Sequence, residues 1–143
     1  MSRDQFAALV TELESVTVTD TAFSGGSMSL SSRVVAAPPP EGGVSQVQAG
    51  RCFVWLTDSR IDYDGRLAIQ RSVYSVYLTV SLVTPDDAYL AGAEVVRAIF
   101  VAMKDTSLNN KTEEWGADGW QVMVDRASGI LRVGGTFRTG VHL

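Results

Sequence analysis

Between Arg71 and Val83 the chain alternates without a break, with Tyr74, Val76, Leu78, Val80 and Leu82 on one side and Ser75, Tyr77, Thr79 and Ser81 on the other. Successive side chains of a strand point to opposite faces, so this run specifies a pleated strand with one face in the core and one partly solvated. Thr84-Pro85-Asp86-Asp87 follows at once and has the chemistry of a helix start. It offers a hydroxyl cap, a proline in the first turn and two acids at the positive end of the helix dipole. A strand feeding directly into a capped helix commits the chain to a mixed scaffold.

The helix expected after Pro85 places Tyr89, Gly92, Ala93, Val96, Ile99, Phe100 and Met103 along one stripe, in steps of three and four residues. Its small members, Gly92 and Ala93, would let the backbone approach a sheet closely. A shorter amphipathic helix is expected over Arg3–Ser15, where Ser2 and Gln5 have capping-box spacing and Phe6, Leu9, Val10 and Leu13 form a narrow apolar stripe. The β-branched run Val16-Thr17-Val18-Thr19 works against extending it.

Thr21–Ser27 reads as loop broken at Gly25-Gly26, and Met28–Ala37 as a strand that ends at Pro38-Pro39-Pro40-Glu41-Gly42-Gly43. Three consecutive prolines cannot donate to a ladder; they favour a stiff extended loop, with a proline-rich partner motif as the alternative. Arg51–Thr57 is a compact buried strand, and Asp58–Arg66 reads as a turn centred on Asp62-Tyr63-Asp64-Gly65. The runs on either side of it are then expected to pair as an antiparallel hairpin.

Lys104–Gly119 reads as a long polar loop that includes Trp115, which sits among Glu113, Glu114 and Asp118 as a candidate contact residue. Trp120–Val124 alternates again, and Asp125–Gly129 supplies turn chemistry, with Gly129 suited to a left-handed position. Ile130–Val141 completes a hairpin, with Leu131, Val133, Phe137 and Val141 on one face and Arg132, Thr136 and Arg138 on the other. The fold class expected is α+β, a mainly antiparallel β-sheet with two principal helices packed on one face. At 143 residues and 45% apolar content, residues 1–143 are expected to form a single domain, with flexible loops near 38–50 and 104–119.

Chemistry is sparse. Sixteen acids against 12 bases give a formal charge of −4, which argues against non-specific nucleic-acid binding as the main task. The single cysteine, Cys52, opens an apolar run and reads as a buried, inert thiol; no intramolecular disulfide is possible, which fits a reducing cytoplasm. Asp4, Glu12 and Glu14 interrupt any signal-peptide core, and no apolar run approaches the ~20 residues that span a bilayer.

His142, the only histidine, is too near the chain end to anchor a nucleophilic triad or a metal site. Asp58, Asp62 and Asp64 have a faint likeness to a calcium loop but lack the EF-hand pattern, and Asp and Gly are also the usual residues of a turn. None of the glycine pairs carries a phosphate-loop signature, and Gly134-Gly135 within a strand marks a bulge or a close backbone contact. No catalytic residue, cofactor or metal is therefore expected. Arg126, Arg132 and Arg138 share a parity, which suits contact with acidic partner groups or a solvated face that discourages aggregation.

In its element order the chain resembles the tail terminator (tail-completion, head–tail joining) proteins of long-tailed bacteriophages. The resemblance rests on the N-terminal helix, the strand Phe53–Thr57, the segment Arg71-Ser72-Val73-Tyr74-Ser75-Val76-Tyr77-Leu78-Thr79-Val80, the Thr84–Met103 helix and the closing hairpin. It implies a non-enzymatic structural virion protein, a homo-oligomeric and typically hexameric ring that caps the tail tube, ends tail polymerisation and joins the head. The implied partners are further copies of the chain, the tail tube protein and a head-side connector protein, with no membrane and no specific nucleic-acid binding. Assembly in the host cytoplasm and residence in the virion tail follow from the same resemblance. Arg132, Arg138 and Trp115 are the candidate oligomer-interface residues. The alternatives are another head–tail connector or tail-tube component, or a small α+β enzyme or ligand-binding domain.

Overall fold

A computed structural model describes residues 2–40, 50–84, 87–104 and 114–143. Helix α1 spans Ser2–Glu14, followed by a two-stranded ribbon of β1 (Thr17–Thr19) and β2 (Ser27–Ser29) and a two-residue strand β3 (Val34–Val35). Then come β4 (Cys52–Asp64), β5 (Leu67–Ser81), helix α2 (Ala88–Lys104), β6 (Glu114–Asp125) and β7 (Ile130–His142). The main sheet has the order β3-β4-β5-β7-β6 and is antiparallel throughout except for β3 against β4. This is the α+β fold expected.

The β5 alternation does what its pattern requires. Tyr74, Val76, Leu78 and Val80 are buried beside Cys52 and Val54 of β4 and Leu131, Val133 and Phe137 of β7. Leu9 and Leu13 of α1 and Val95, Ile99 and Met103 of α2 complete the core, so both helices lie on one face of the sheet. Helix α2 turns a somewhat different side inward than its stripe implied. Ala88, Ala91, Gly92, Val95, Ile99 and Met103 are buried, whereas Tyr89 and Ala93 are exposed and Val96 is half-buried. The buried arc keeps Gly92, Ile99 and Met103 of that stripe but is rotated toward Ala88, Ala91 and Val95, by less than the roughly 100° that separates successive residues. α2 packs against α1 as well as β6 and β7, so its inner face has two neighbours to satisfy. Gly92 does lie against the sheet, where a Cβ would collide with Val122.

Four expectations are corrected. Asp58–Asp64 is strand rather than turn, because β4 continues to Asp64 and only Gly65-Arg66 closes the hairpin, with Gly65 at φ +63°. Glu114–Gly119 is likewise strand, since β6 is an edge that bonds β7 on one side only and tolerates polar residues and glycines. The polar stretch therefore ends at Glu114; residues 105–113 lie outside the described residues. Met28–Ala37 is not one strand but two short pieces, β2 and β3, separated by a turn in which the Arg33 amide donates to the Leu30 carbonyl at 3.0 Å. Helix α2 opens at Ala88, with the Asp87 carbonyl accepting the first helical bond from the Ala91 amide (3.0 Å); the Thr84 hydroxyl instead donates to the Thr21 carbonyl (3.5 Å).

Gly129 occupies the left-handed region at φ +68° in the β6–β7 turn, where the Ala127 and Ser128 amides donate to Asp125 Oδ1. At Gly135 the backbone lies directly under the Trp120 indole, whose Nε1 donates to the Thr136 carbonyl at 3.1 Å. Trp120 meets Phe100 edge-to-face and Phe137 at a tilt, an aromatic cluster that fastens α2 to the β6–β7 hairpin.

Candidate assembly surface

A register shift between Leu56 and Asp58 controls the surface of the sheet. Leu56 pairs with Tyr74 on the helix side, but Asp58 pairs with Val73 on the outer side, leaving Thr57 as the extra residue. Because strand side chains alternate, one inserted residue exchanges the two faces for everything beyond it. Asp58, Arg60 and Asp62 consequently share the outer face with Arg71, Val73 and Arg138, while Ser59, Ile61 and Tyr63 turn to the helix side. β6 has its own irregularity between Asp118 and Gln121, at nearly the same height on the opposite edge.

On the outer face these residues line an open depression of about 510 Å³, formed by Asp58, Arg60, Arg71, Val73, Gly116 and Arg138 with backbone from neighbouring positions. Asp62 Oδ2 accepts from Arg60 Nε at 3.0 Å and from Arg71 Nη1 at 2.9 Å. The Arg71 hydrogen bond, helped by Arg60, holds the Asp62 carboxyl below the usual carboxylate range against a small desolvation effect. Arg138 lies flat across Gly116, where a Cβ would stand 3.3 Å from its guanidinium. It is exposed and has no ion-pair partner among the described residues. Arg60 and Arg71 thus share Asp62, and Arg138 presents a planar guanidinium of the kind suited to bidentate carboxylate recognition.

The structure does not bring the three candidate interface residues together. Arg132 pairs with Thr79 near one end of β7 and Arg138 with Val73 near the other. The Trp115 backbone pairs with Thr139, and its side chain is outside what the structure describes. Sequence reasoning missed Arg60, Arg71 and Asp62, although a period of two was present in Asp58-Ser59-Arg60-Ile61-Asp62-Tyr63-Asp64. Arg60 stands directly opposite Arg71 only once the two-residue turn sets the register.

The other surface feature is the hairpin itself. From Leu56 to Leu67 every described side chain is exposed except Asp62, which is half-buried. β3 bonds β4 only at Cys52 and Phe53, so among the described residues the outer backbone edge of β4 has no strand partner along this arm. At its base on the helix side, Phe6, Ala36, Ala37, Pro38, Trp55, Leu56 and Tyr74 line an apolar groove of about 310 Å³. Pro38, the first residue of the proline segment, is thus part of a wall; residues 41–49 lie outside the described residues.

Among the described residues no three His, Cys, Asp or Glu side chains gather as a metal site, and no helix is long and apolar enough to cross a membrane. Cys52 is fully buried, and burial pushes its thiol up to about 12.

No family model and no curated protein matches the chain. Among solved structures, the chain is similar to one described as "Virion of native gene transfer agent (GTA) particle", at 19% identity and a TM-score of 0.45, over 96% of this chain and 94% of that one.

Proposed function

We propose that this is a structural virion protein, and specifically a tail terminator that works as a ring, most simply a hexamer, on the end of a phage tail tube. The observation that carries the proposal is the exposed arm Leu56–Leu67, a strand pair whose outer edge and charged outer face no other described element covers. An isolated domain gains little from such an arm, and an uncovered edge is a standing invitation to aggregate unless a partner takes it. The element order that carries the sequence resemblance is also the order of the folded chain: helix, strand, long strand, helix, closing hairpin.

Assembly rather than catalysis is then the mechanism. Each copy presents one surface to the next in a heterologous contact that closes. Arg138, with its flat guanidinium and no acidic partner among the described residues, and Arg132 at the far end of β7 are the proposed receivers of carboxylates from a neighbouring copy, the tube protein or the head-side connector. The protein on this proposal is built in the host cytoplasm and ends in the virion tail.

The test adds purified protein to unfinished tails and follows tail length and head joining. Tails that stop at uniform length and accept heads only when the protein is present support a terminator. Tails that finish and join heads equally well without it exclude one. Incorporation of the protein along the tube instead of at its end assigns it to the tube.

A further inference from the structure

We infer that β6 of one copy adds to the open edge of β4 in the next, joining their main sheets, with Arg138 meeting Asp58 of the next copy across the seam. This rests on the proposal that the protein assembles with itself, and it names the strands that meet.

The strand order leaves two edges. β6 closes one side of the main sheet, and among the described residues β7 is its only strand partner. On the other side β3 takes β4 at Cys52 and Phe53, and from Val54 to Asp64 no described strand lies outside β4. β4, β5, β7 and β6 alternate in direction, so β6 runs antiparallel to β4. Copies turned about an axis along the strands keep those directions. Joining the two edges then makes an antiparallel ladder, like those inside the sheet. One copy cannot join its own edges, because β5 and β7 stand between them.

Register decides which residues meet. Traced across the sheet, Arg60, Ser59, Asp58, Leu56 and Trp55 of β4 stand at the heights of Glu114, Trp115, Gly116, Ala117 and Asp118 of β6. A ring that closes by rotation without rise along the strands brings equal heights together. Those two runs then pair along their whole length. The ladder also ends in the right place. β6 leaves its register after Asp118, with Gly119 at φ +66°, and resumes at Gln121. Gln121 is level with Phe53, where β3 already occupies the edge of β4.

Both faces of this seam are complementary. On the outer face, Gly116 of one copy comes beside Asp58 of the next. Arg138 lies across Gly116, on the β6 side of its own strand and away from its own Asp58, which is two strands behind it. Its guanidinium therefore reaches over the edge toward the Asp58 that a neighbour supplies. Both residues are exposed, and neither has an ion-pair partner among the described residues. A side chain at position 116 would stand in the path, which gives the glycine a use. On the helix side, exposed Ala117 comes beside Leu56, itself 47% exposed at the rim of the apolar groove of Phe6, Ala36, Ala37 and Pro38. Main-chain bonds would hold the added strand, and these two contacts would set its register.

The experiment places thiols on the two edges, Leu56→Cys and Ala117→Cys, singly and together. The native Cys52 stays, since it is fully buried. Within one copy the two positions are three strand spacings apart, about 14 Å. A disulfide spans about 7 Å between Cα atoms at most, so any bond formed joins two copies. Mild oxidation is applied to concentrated protein and to protein on assembled tails, and products are read on a non-reducing gel. The double variant should give a ladder of dimer, trimer and higher species. A mixture of the two single variants should give dimer only, and each single variant alone should stay monomeric. Ile61→Cys in place of Leu56→Cys, farther along the same arm, should give at least tenfold less dimer in the mixture. Single variants that dimerise alone as readily as in the mixture would overturn the pairing. So would a mixture that stays monomeric in both settings, or one that links through Ile61→Cys as well as through Leu56→Cys.

Asp58→Arg and Arg138→Asp supply the second reading, with thermal unfolding first confirming that each folds as the unmodified chain does. Each alone should lower tail completion at least tenfold, and the two together in one chain should restore it. A double variant no better than the single ones would overturn the Asp58–Arg138 contact. If the single variants complete tails like the unmodified protein, that contact falls and the terminator proposal stands. If the ladder forms but the protein leaves unfinished tails unchanged, the seam stands and the terminator proposal falls.

Discussion

β4 is one continuous strand with one partner, yet its two ends occupy different environments. Cys52, Phe53 and Val54 are buried, whereas Leu56 to Asp62 face water or half-face it while still paired with β5 at every position but Thr57. Hydrogen bonding is therefore not what separates the two regions. The helices cover one end of the hairpin and stop, and the register shift at Thr57 exchanges the faces at that boundary. Beyond it the strand is held by its ladder, by cross-strand contacts such as Thr57 with Ser75 and Ser59 with Ser72, and by the Arg60–Asp62–Arg71 ion pairs. Such pairs contribute little each, so the arm should be the less stable part of the molecule and the part free to meet a partner.

The sharpest way to break the comparison is thiol reactivity. Burial favours the neutral thiol at Cys52, so labelling there must wait for opening of the core. A thiol placed in the arm by Ser59→Cys should react with Ellman's reagent at least ~10³-fold faster than Cys52, in line with opening free energies approaching global stability in a core. Similar rates would show that the covered end opens as readily as the arm.

Stability should divide the same way. Leu78→Ala, at a fully buried position, should cost about 2–5 kcal/mol in urea unfolding. Tyr63→Ala in the arm should stay within about 0.5 kcal/mol of the unmodified chain. A loss at Tyr63 as large as that at Leu78 would mean the arm is packed in solution.

The adjacent glycines of β7 sample the two faces of the sheet. Gly135→Ala drives a methyl into the Trp120 ring and should cost about 1–3 kcal/mol, with a change in tryptophan emission. Gly134→Ala points to the outer face, where its nearest neighbour is the Val76 carbonyl at 3.2 Å, and should cost less and leave the emission unchanged.

The smallest effect belongs to Asp62. Its carboxyl titrates below the ordinary value of about 3.9 because Arg71 and Arg60 favour the charged form. The stability it contributes is therefore fully present above the unfolded value and is lost as pH falls through the lower folded value. Asp62→Asn should remove that limb, seen as a flatter fall in urea midpoint between about pH 5 and 2. Its exposure to solvent keeps the difference slight, and an unchanged acid limb would show the ion pairs to be idle.

Much of this was legible residue by residue. The β5 alternation, the turn at Gly129, the outward parity of Arg132 and Arg138, and the close approach at Gly92 and Gly135 all stand in the fold as read from the chain. The arm was not, because Asp58–Arg66 is built from residues that serve both turns and exposed strands. The α2 stripe was misplaced for a related reason. Tyr89 and Ala93 are as apolar as the residues that are buried, and periodicity alone does not say which of two adjacent arcs meets a neighbour.

What the sequence by itself determined is local: which segments are helix or strand, where glycine is needed, and which faces are apolar enough for a core. Those follow from backbone sterics and side-chain period, which act over a few residues. Only the tertiary structure decided how far the helices reach along the sheet, and so which half of an unbroken strand is buried. It also decided that a single extra residue at Thr57 would bring Arg60, Asp62, Arg71 and Arg138 to one face. Those residues lie on three strands, and pairing across strands depends on register, which no local pattern of this chain carries.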